Sequence, residues 1–230
     1  MITFPEKLFV TGTGTDVGKT FVCAMLVCGL DASYWKPVQS GKPTDTDFLK
    51  SVTHRPLSKF KSETYIFDDP VSPHLAAEIA NVQIKLERFE LPDCSDRHLI
   101  VEGAGGLLVP LNEKHMMIDL IARLNLPTLI VAHSTLGTIN HTLLTLKELR
   151  SRSVDVFGVV LNGPKNPANR IAIERYGDVR VIGECDRLPE ISPHSLKEAF
   201  SRCFGENVLE RQVCMTGARL TGTSSDRSQK

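Results

Sequence analysis

The chain has 230 residues, enough for one large domain or two small ones, and its 41% hydrophobic content plus 16 glycines suits a buried globular core. Twenty-seven Lys and Arg balance twenty-seven Asp and Glu; a zero net charge argues against a nucleic-acid partner, whose footprint is a basic excess, while leaving room for a local phosphate pocket. No apolar run approaches the roughly 20 residues of a membrane span, and the opening MITFPEKLFV lacks the basic head and long apolar stretch of a secretory signal.

In chain order, Lys7–Thr11 (KLFVT) reads as a first short strand, followed by a turn holding Gly12, Gly14 and Gly18. Lys19–Leu30 is apolar almost all round and predicts a buried helix. Ser33–Lys36 reads as a second strand. The stretch Gly41–Cys94 is less regular and interrupted by prolines, which predicts an excursion from a sheet; within it Asp45 or Asp47 is expected to cap a helix. His98–Glu102 (HLIVE) is a further strand, and Gly103, Gly105 and Gly106 follow it at once. The rest alternates: helix Met116–Leu124, strand Thr128–Ala132, helix Thr138–Ser151, strand Val154–Leu161, helix Asn169–Tyr176, strand Val179–Gly183 and helix Ser195–Phe204. The strand runs are β-branched and apolar on both faces, as strands of a buried parallel sheet are. The expected fold is α/β, one domain with a mostly parallel, doubly wound sheet and helices on both faces, over residues 1–210. Residues 211–230 are expected to form a flexible tail. The six cysteines form no CxxC pair and no Cys/His spacing typical of zinc, so reduced thiols in a cytoplasmic protein are expected.

Gly12-Thr13-Gly14-Thr15-Asp16-Val17-Gly18-Lys19-Thr20 joins the first strand to the buried helix. A glycine-rich turn there aims backbone N–H groups at one anion; the helix N-terminus adds its dipole, Lys19 a positive charge and Thr20 a hard oxygen for Mg²⁺. The common spacing G-x-x-x-x-G-K-[ST] requires glycine at position 13, where this chain has threonine, so the loop is a variant of the P-loop NTPase pattern. Such a site needs an acid at the end of a neighbouring strand; Glu102 ends HLIVE, and Asp45 or Asp47 is a candidate third oxygen ligand. Lys36 ends an otherwise apolar strand, where it is expected to point into the crevice at the sheet's C-terminal edge.

Together these motifs resemble the dethiobiotin synthetase family. The matching pieces are Thr11–Thr20, Lys36-Pro37-Val38-Gln39-Ser40-Gly41, Ser72–Ala77, Val101–Leu107 and Leu136-Gly137-Thr138-Ile139-Asn140-His141, and they run in the family's order over roughly Met1 to Pro189. The off-register P-loop is that family's own form. The resemblance implies a ligase of biotin biosynthesis with ATP, CO₂ and 7,8-diaminononanoate as reactants and Mg²⁺ as cofactor. It implies nucleotide contacts from Gly14, Thr15, Asp16, Val17, Gly18, Lys19, Thr20 and Phe21, from Gly103, Ala104 and Gly105, and from Asn162 and Gly163 at the base. The implied metal ligands are Thr20, Asp47 and Glu102; Asp47 is preferred to Asp45 for the Phe48-Leu49 that follows it. Lys36 and Lys19 are the implied catalytic residues. Thr15, Lys36 and Ser40 are placed at the carbamate end of the substrate, and Gly137, Thr138 and Asn140 at its carboxylate, donated by the second subunit of a homodimer.

The chain departs from the family at Gly163, where a polar residue is usual, and at Gly183–Leu188, where the pattern loses its proline; both lie in the base-binding half. The alternative reading is a partition- or septum-type regulatory ATPase. Proteins of that kind carry a lysine early in the P-loop, and Gly12–Val17 contains none.

Overall fold

The structure is a computed structural model and describes residues 2–205; the expected tail, 211–230, lies outside the described residues. β1 (Lys7–Gly12) leads through the glycine turn into α1 (Lys19–Leu30). β2 (Ser33–Trp35) and β3 (Val38–Ser40) follow, then α2 (Asp45–Thr53), β4 (Phe60–Lys61), β5 (Tyr65–Phe67) and α3 (Pro73–Ile79). The second half alternates β6 (Leu99–Glu102), α4 (Met117–Leu124), β7 (Thr128–His133), α5 (Thr138–Ser151), β8 (Val156–Asn162), α6 (Pro167–Gly177), β9 (Val181–Cys185) and α7 (Pro193–Phe204).

Seven strands form one parallel sheet in the order β4-β2-β6-β1-β7-β8-β9. From β1 the chain crosses over β6 to build the β2–β4 edge, returns to β6, then steps outward through β7, β8 and β9. The order therefore reverses at β1, and the crevice outside the strands' C-terminal ends at that point is where open α/β sheets bind ligands. The P-loop fills this position because it follows β1. Alternation along the strands divides the core into two layers. Leu8, Val10, Tyr34, Ile100 and Val131 pack with α1 and α7, while Phe9, Trp35, Val101 and Ile130 pack with α4 and α5. Burial on both faces is why these strands read as continuous apolar runs in the sequence.

The expected α/β architecture holds, with boundary shifts that have local causes. α6 and α7 begin two residues before the expected starts because Asn166 and Ser192 accept from the backbone N–H of Asn169 and Ser195, with proline at the first helical position in each. β8 and β9 begin two residues late, at Val156 and Val181. The stretch Gly41–Cys94 contains an excursion: α2 and α3 leave the sheet, β4 returns to its edge, and β5 pairs with the preceding β3 in a separate two-stranded parallel sheet. α2 is capped by neither aspartate. Thr44 is its N-cap, and its hydroxyl accepts from Asp47 N at 3.0 Å.

α7 holds α1 against the sheet. Phe200 and Phe204 join Phe4 in an aromatic cluster with centroid separations of 5.1–5.7 Å, and Gly29 of α1 lets the Phe200 ring approach the helix backbone. A Cβ at Gly29 would stand 2.1 Å from that ring. Gly29→Ala should therefore destabilise the protein by about 1–3 kcal/mol, against the gain of about 1 kcal/mol that helix propensity alone gives alanine. A chemical-denaturation midpoint that rises instead would show that α7 does not pack this closely.

Candidate active site

Strand parity explains how the site assembles. Tyr34 and Ile100 face α1, so two residues further along, Lys36 and Glu102 face it too, now at the C-terminal edge of the sheet. Thr20, in the first turn of α1, meets them there. Its hydroxyl donates to Glu102 Oε1 at 2.9 Å, and the Lys36 ammonium donates to the same oxygen at 3.0 Å. Lys36 also pairs with Asp45 Oδ2 and reaches the Gly103 carbonyl at 3.4 Å. Tyr34 Oη donates to the other oxygen, Glu102 Oε2, at 2.8 Å. Glu102 is wholly buried and Lys36 is 3% exposed.

These contacts fix the charge state of the lysine. Burial alone pushes the Lys36 ammonium down, but Glu102 and Asp45 outweigh it, and its pKa lies above that of an ordinary lysine. The two carboxylates favour the charged form of Lys36. Lys19 differs: burial, followed by the like charge of Lys36, lowers its pKa. Burial and the Glu102 carboxylate together push the Tyr34 phenol and the Cys23 thiol up, so both stay protonated beside the acid.

The phosphate loop has the form its sequence predicts. Among the described residues, no backbone N–H from Gly14 to Gly18 donates to a backbone carbonyl in a turn or loop, which leaves those donors to an anion. Lys19 Nζ lies over the loop and donates to the Gly14 carbonyl at 2.9 Å. Gly18 has φ 93°, and a Cβ there would meet Asn162 Nδ2 at 2.0 Å, so only glycine fits. The second glycine cluster packs directly on the first: a Cβ at Gly106 would lie 3.5 Å from Gly14 Cα, and one at Gly105 3.6 Å from the exposed Thr15 hydroxyl. Gly105 and Gly106 thus border the loop, while Gly103 and Ala104 make no described contact with it; Asp16 is exposed with φ 59° and Phe21 is half-buried in the first turn of α1.

The two candidate acids of α2 lie on different faces. Asp47 points outward, with its side chain 60% exposed and bonded to Lys50, because Thr44 caps α2 and thereby sets Asp45 at the helix's first position. Asp45, not Asp47, joins Lys36 and Glu102. Asp45 and Glu102 both contact the Lys36 ammonium, and the Thr20 hydroxyl donates to the same Glu102 oxygen. Two carboxylates and a hydroxyl are hard oxygen donors of the kind Mg²⁺ takes together with substrate phosphates. Among the described residues no group of three or more His, Cys, Asp or Glu is placed to hold a metal ion.

The other expected residues sit around the same edge. The Ser40 hydroxyl is buried without a hydrogen-bond partner. Asn162 Nδ2 donates to the Val17 carbonyl at 3.0 Å, so this side chain braces the phosphate loop and leaves its Oδ1 for a base. Gly163 donates to the Cys185 carbonyl, and a Cβ there would lie 2.7 Å from Ser134 Oγ, which explains why no larger residue stands at this position. Gly137, Thr138 and Asn140 begin α5 after β7; Gly137 and Asn140 are exposed, Leu136 is completely so, and the Thr138 hydroxyl is buried and unpartnered. No hydrogen bond joins them to the Lys36 cluster within this chain. His74 lies apart, in a groove of about 880 Å³ between α3 and the 110–116 turn that contains none of the cluster residues.

Comparison with known proteins concerns the chain as a whole. The AAA-domain family matches residues 6–195. The ATP-dependent dethiobiotin synthetase BioD of Paramagnetospirillum magneticum is 50% identical over 185 residues, 80% of this chain and 90% of that protein. The chain belongs to the dethiobiotin synthetase family. The BioD of Lawsonia intracellularis is 42% identical over 193 residues, 83% of this chain and 93% of its own length. The dethiobiotin synthetase fold is shared more widely. Septum site-determining MinD of Pyrococcus horikoshii, solved with Mg-ADP, superposes with a TM-score of 0.59 at 13% identity, over 94% of this chain and all of that one. MinD of Pyrococcus furiosus gives 0.56 at 14%, over 90% of this chain and 99% of that one. At such identities the likeness concerns the fold alone.

One participant escaped the sequence reading. Tyr34 was legible only as an apolar strand residue, although its i,i+2 spacing from Lys36 puts both on one face. Asp45 was one of the two acids considered, and the cap at Thr44 is what places it at the first helical position. Lys36→Met tests the arrangement: it leaves Glu102 buried without a counter-charge and should lower stability by about 3–5 kcal/mol. Because the three oxygens then have no cation, Mg²⁺ should raise the melting temperature of the variant more than that of the wild type. Equal responses to Mg²⁺ would show that these oxygens do not form a cation site.

Proposed function

We propose that this ligase closes the ureido ring of dethiobiotin from 7,8-diaminononanoate and CO₂ at the expense of ATP, in a homodimer with shared active sites. The observation that carries the reading is the Lys36 ammonium, buried between Asp45 and Glu102 beside a phosphate loop that ends in Lys19 and Thr20.

In this reading one amine of the diamine takes up CO₂ and becomes a carbamate. A carbamate oxygen attacks the γ-phosphorus in line, ADP leaves, and a carbamic–phosphoric anhydride forms. The second amine then attacks the activated carbon and expels phosphate. Every step before the last gathers negative charge at one place, and the protein's task is to neutralise and align it. Lys36, held as a cation, opposes the charge of the carbamate and of the transferring phosphoryl; a group so firmly protonated is no general base. Lys19 and the N–H groups from Gly14 to Thr20 hold the β- and γ-phosphates. Thr15 and Ser40 hydrogen-bond the carbamate end, and the unpartnered Ser40 hydroxyl suits that role. Asp45, Glu102 and Thr20 would hold Mg²⁺, whose chemistry is to screen the phosphate oxygens. Asn162 Oδ1 would accept from a base amine.

The exposed start of α5 suits a carboxylate brought by the partner copy of the chain, since helix-start N–H groups favour an anion and no contact ties this segment to the Lys36 cluster of its own chain. The switch-ATPase reading has less support: Gly12–Val17 contains no lysine to reach across a dimer, and the MinD likeness is one of fold.

Purified protein supplied with the diamine, Mg-ATP and labelled bicarbonate should incorporate acid-stable label and release phosphate, both only when diamine is present. Phosphate release indifferent to diamine would overturn this function in favour of a switch ATPase. Asn140→Ala should weaken diamine affinity while leaving ADP affinity at the wild-type value; isothermal titration with each ligand separates the two, and an unchanged diamine affinity would remove the start of α5 from the substrate site.

A further inference from the structure

We propose that Cys185 and Cys203 form a modification site, at which a peroxide joins the two thiols in a reversible disulfide that fastens the last turn of α7 to β9. The two residues are 18 positions apart in the chain, yet their sulfurs lie 2.8 Å from each other. A disulfide bond is about 0.8 Å shorter than that, so small side-chain rotations close it. The sequence arranges the meeting. Gly183 and Cys185 alternate along β9 onto the face that α7 covers. A Cβ at Gly183 would stand 2.5 Å from Cys203 Sγ and 2.8 Å from the Phe204 ring, so glycine gives the sulfur room to reach the sheet. Phe204, packed on Phe4 and Phe200, keeps the turn that carries Cys203 in place.

The two thiols differ in access. Cys203 is half-buried, whereas Cys185 is only 5% exposed. The contact with Cys203, followed by burial, holds the Cys185 thiol well above its usual range, so it stays protonated. Cys203 is therefore the group that meets the oxidant. Its sulfur takes one hydroxyl of hydrogen peroxide as the O–O bond breaks, and the thiol proton leaves with the other hydroxyl as water. The Cys185 sulfur then attacks the resulting sulfenic acid. The S–S bond forms, the S–O bond breaks, and the hydroxyl departs with the Cys185 proton as a second water. Two electrons have passed from the thiols to the peroxide, and a dithiol reverses the bond by exchange. The closed loop restricts the unfolded chain and ties down the helix that covers α1.

The test treats the native full-length protein with hydrogen peroxide, blocks the remaining thiols and digests it. Trypsin cuts after Arg180, Arg187, Arg202 and Arg211, which puts Cys185, Cys203 and Cys214 on different peptides. Mass spectrometry should find peptide 181–187 joined to peptide 203–211. The melting temperature should rise by roughly 5–10 °C over that of Cys203→Ser protein treated in the same way, and dithiothreitol should reverse both changes. Recovery of the two peptides unlinked, or of either one joined to Cys94 or Cys214 instead, would overturn the assignment, and this mapping needs no variant. A 181–187 to 203–211 link that forms only in denaturant would overturn it too. Linked protein that melts no higher than the treated Cys203→Ser protein would show that the bond does not fasten α7.

Discussion

The ion pair between Lys36 and Glu102 is formed where water does not reach, and that circumstance governs the rest of the site. Removing two charges from water costs several kcal/mol for each, and their attraction offsets this only if every remaining donor and acceptor is matched. Here the matching is done by residues from four different elements: Thr20 from α1, Tyr34 from β2, Asp45 from α2 and the Gly103 carbonyl after β6. Each has one position in which it can serve. The fold is therefore under electrostatic constraint at the same place where it is expected to work on phosphates, and the cluster is rigid because loosening any member would expose an unpaired charge to a low-dielectric interior.

The excursion between β3 and β6 gains a purpose from this. A bare parallel sheet with flanking helices can present a phosphate loop and one acid. A second acid at the edge, beyond β2, has to be carried there by chain that leaves the sheet. α2 begins immediately after the Lys36–Gly41 segment and its first residue is Asp45, so a single short detour delivers the lysine and its second counter-charge together. The likeness to MinD ends at the scaffold, and such a scaffold hosts unrelated chemistry according to what its loops carry. In this chain they carry a lysine whose charged form is favoured by two carboxylates.

What could be read from the sequence follows the range over which each signal acts. The main strands and α1 were legible because burial on both faces writes continuous apolar runs, and the phosphate loop because its glycines and Lys19-Thr20 are contiguous. Lys36 and Glu102 were legible as charges where a strand should be apolar. β3 and β5 were not, since three-residue strands leave no periodicity to count. Asp45 and Asp47 differ by two positions on one helix, and which of them faces inward depends on where the helix starts; Thr44 settles that, and its role becomes visible only once its hydroxyl is seen to accept from Asp47 N. Tyr34 illustrates the remaining gap. An aromatic residue in a buried strand is accounted for by packing, and nothing local distinguishes a phenol that fills space from one that also steadies an acid 68 positions away.

The central place of β1 has a consequence for how the molecule forms. β1 ends at Gly12, yet its two neighbours are Leu99–Glu102 and Thr128–His133, so more than half of the described chain must exist before the first strand is paired on both sides. Closing loops of that length is slow, and until it happens the N-terminal strand presents apolar faces and free backbone edges. The phosphate loop and the helix after it, which precede both neighbours of β1 in the chain, are thus among the last parts to acquire their final surroundings. The phosphate cradle therefore depends on contacts that are distant in the chain.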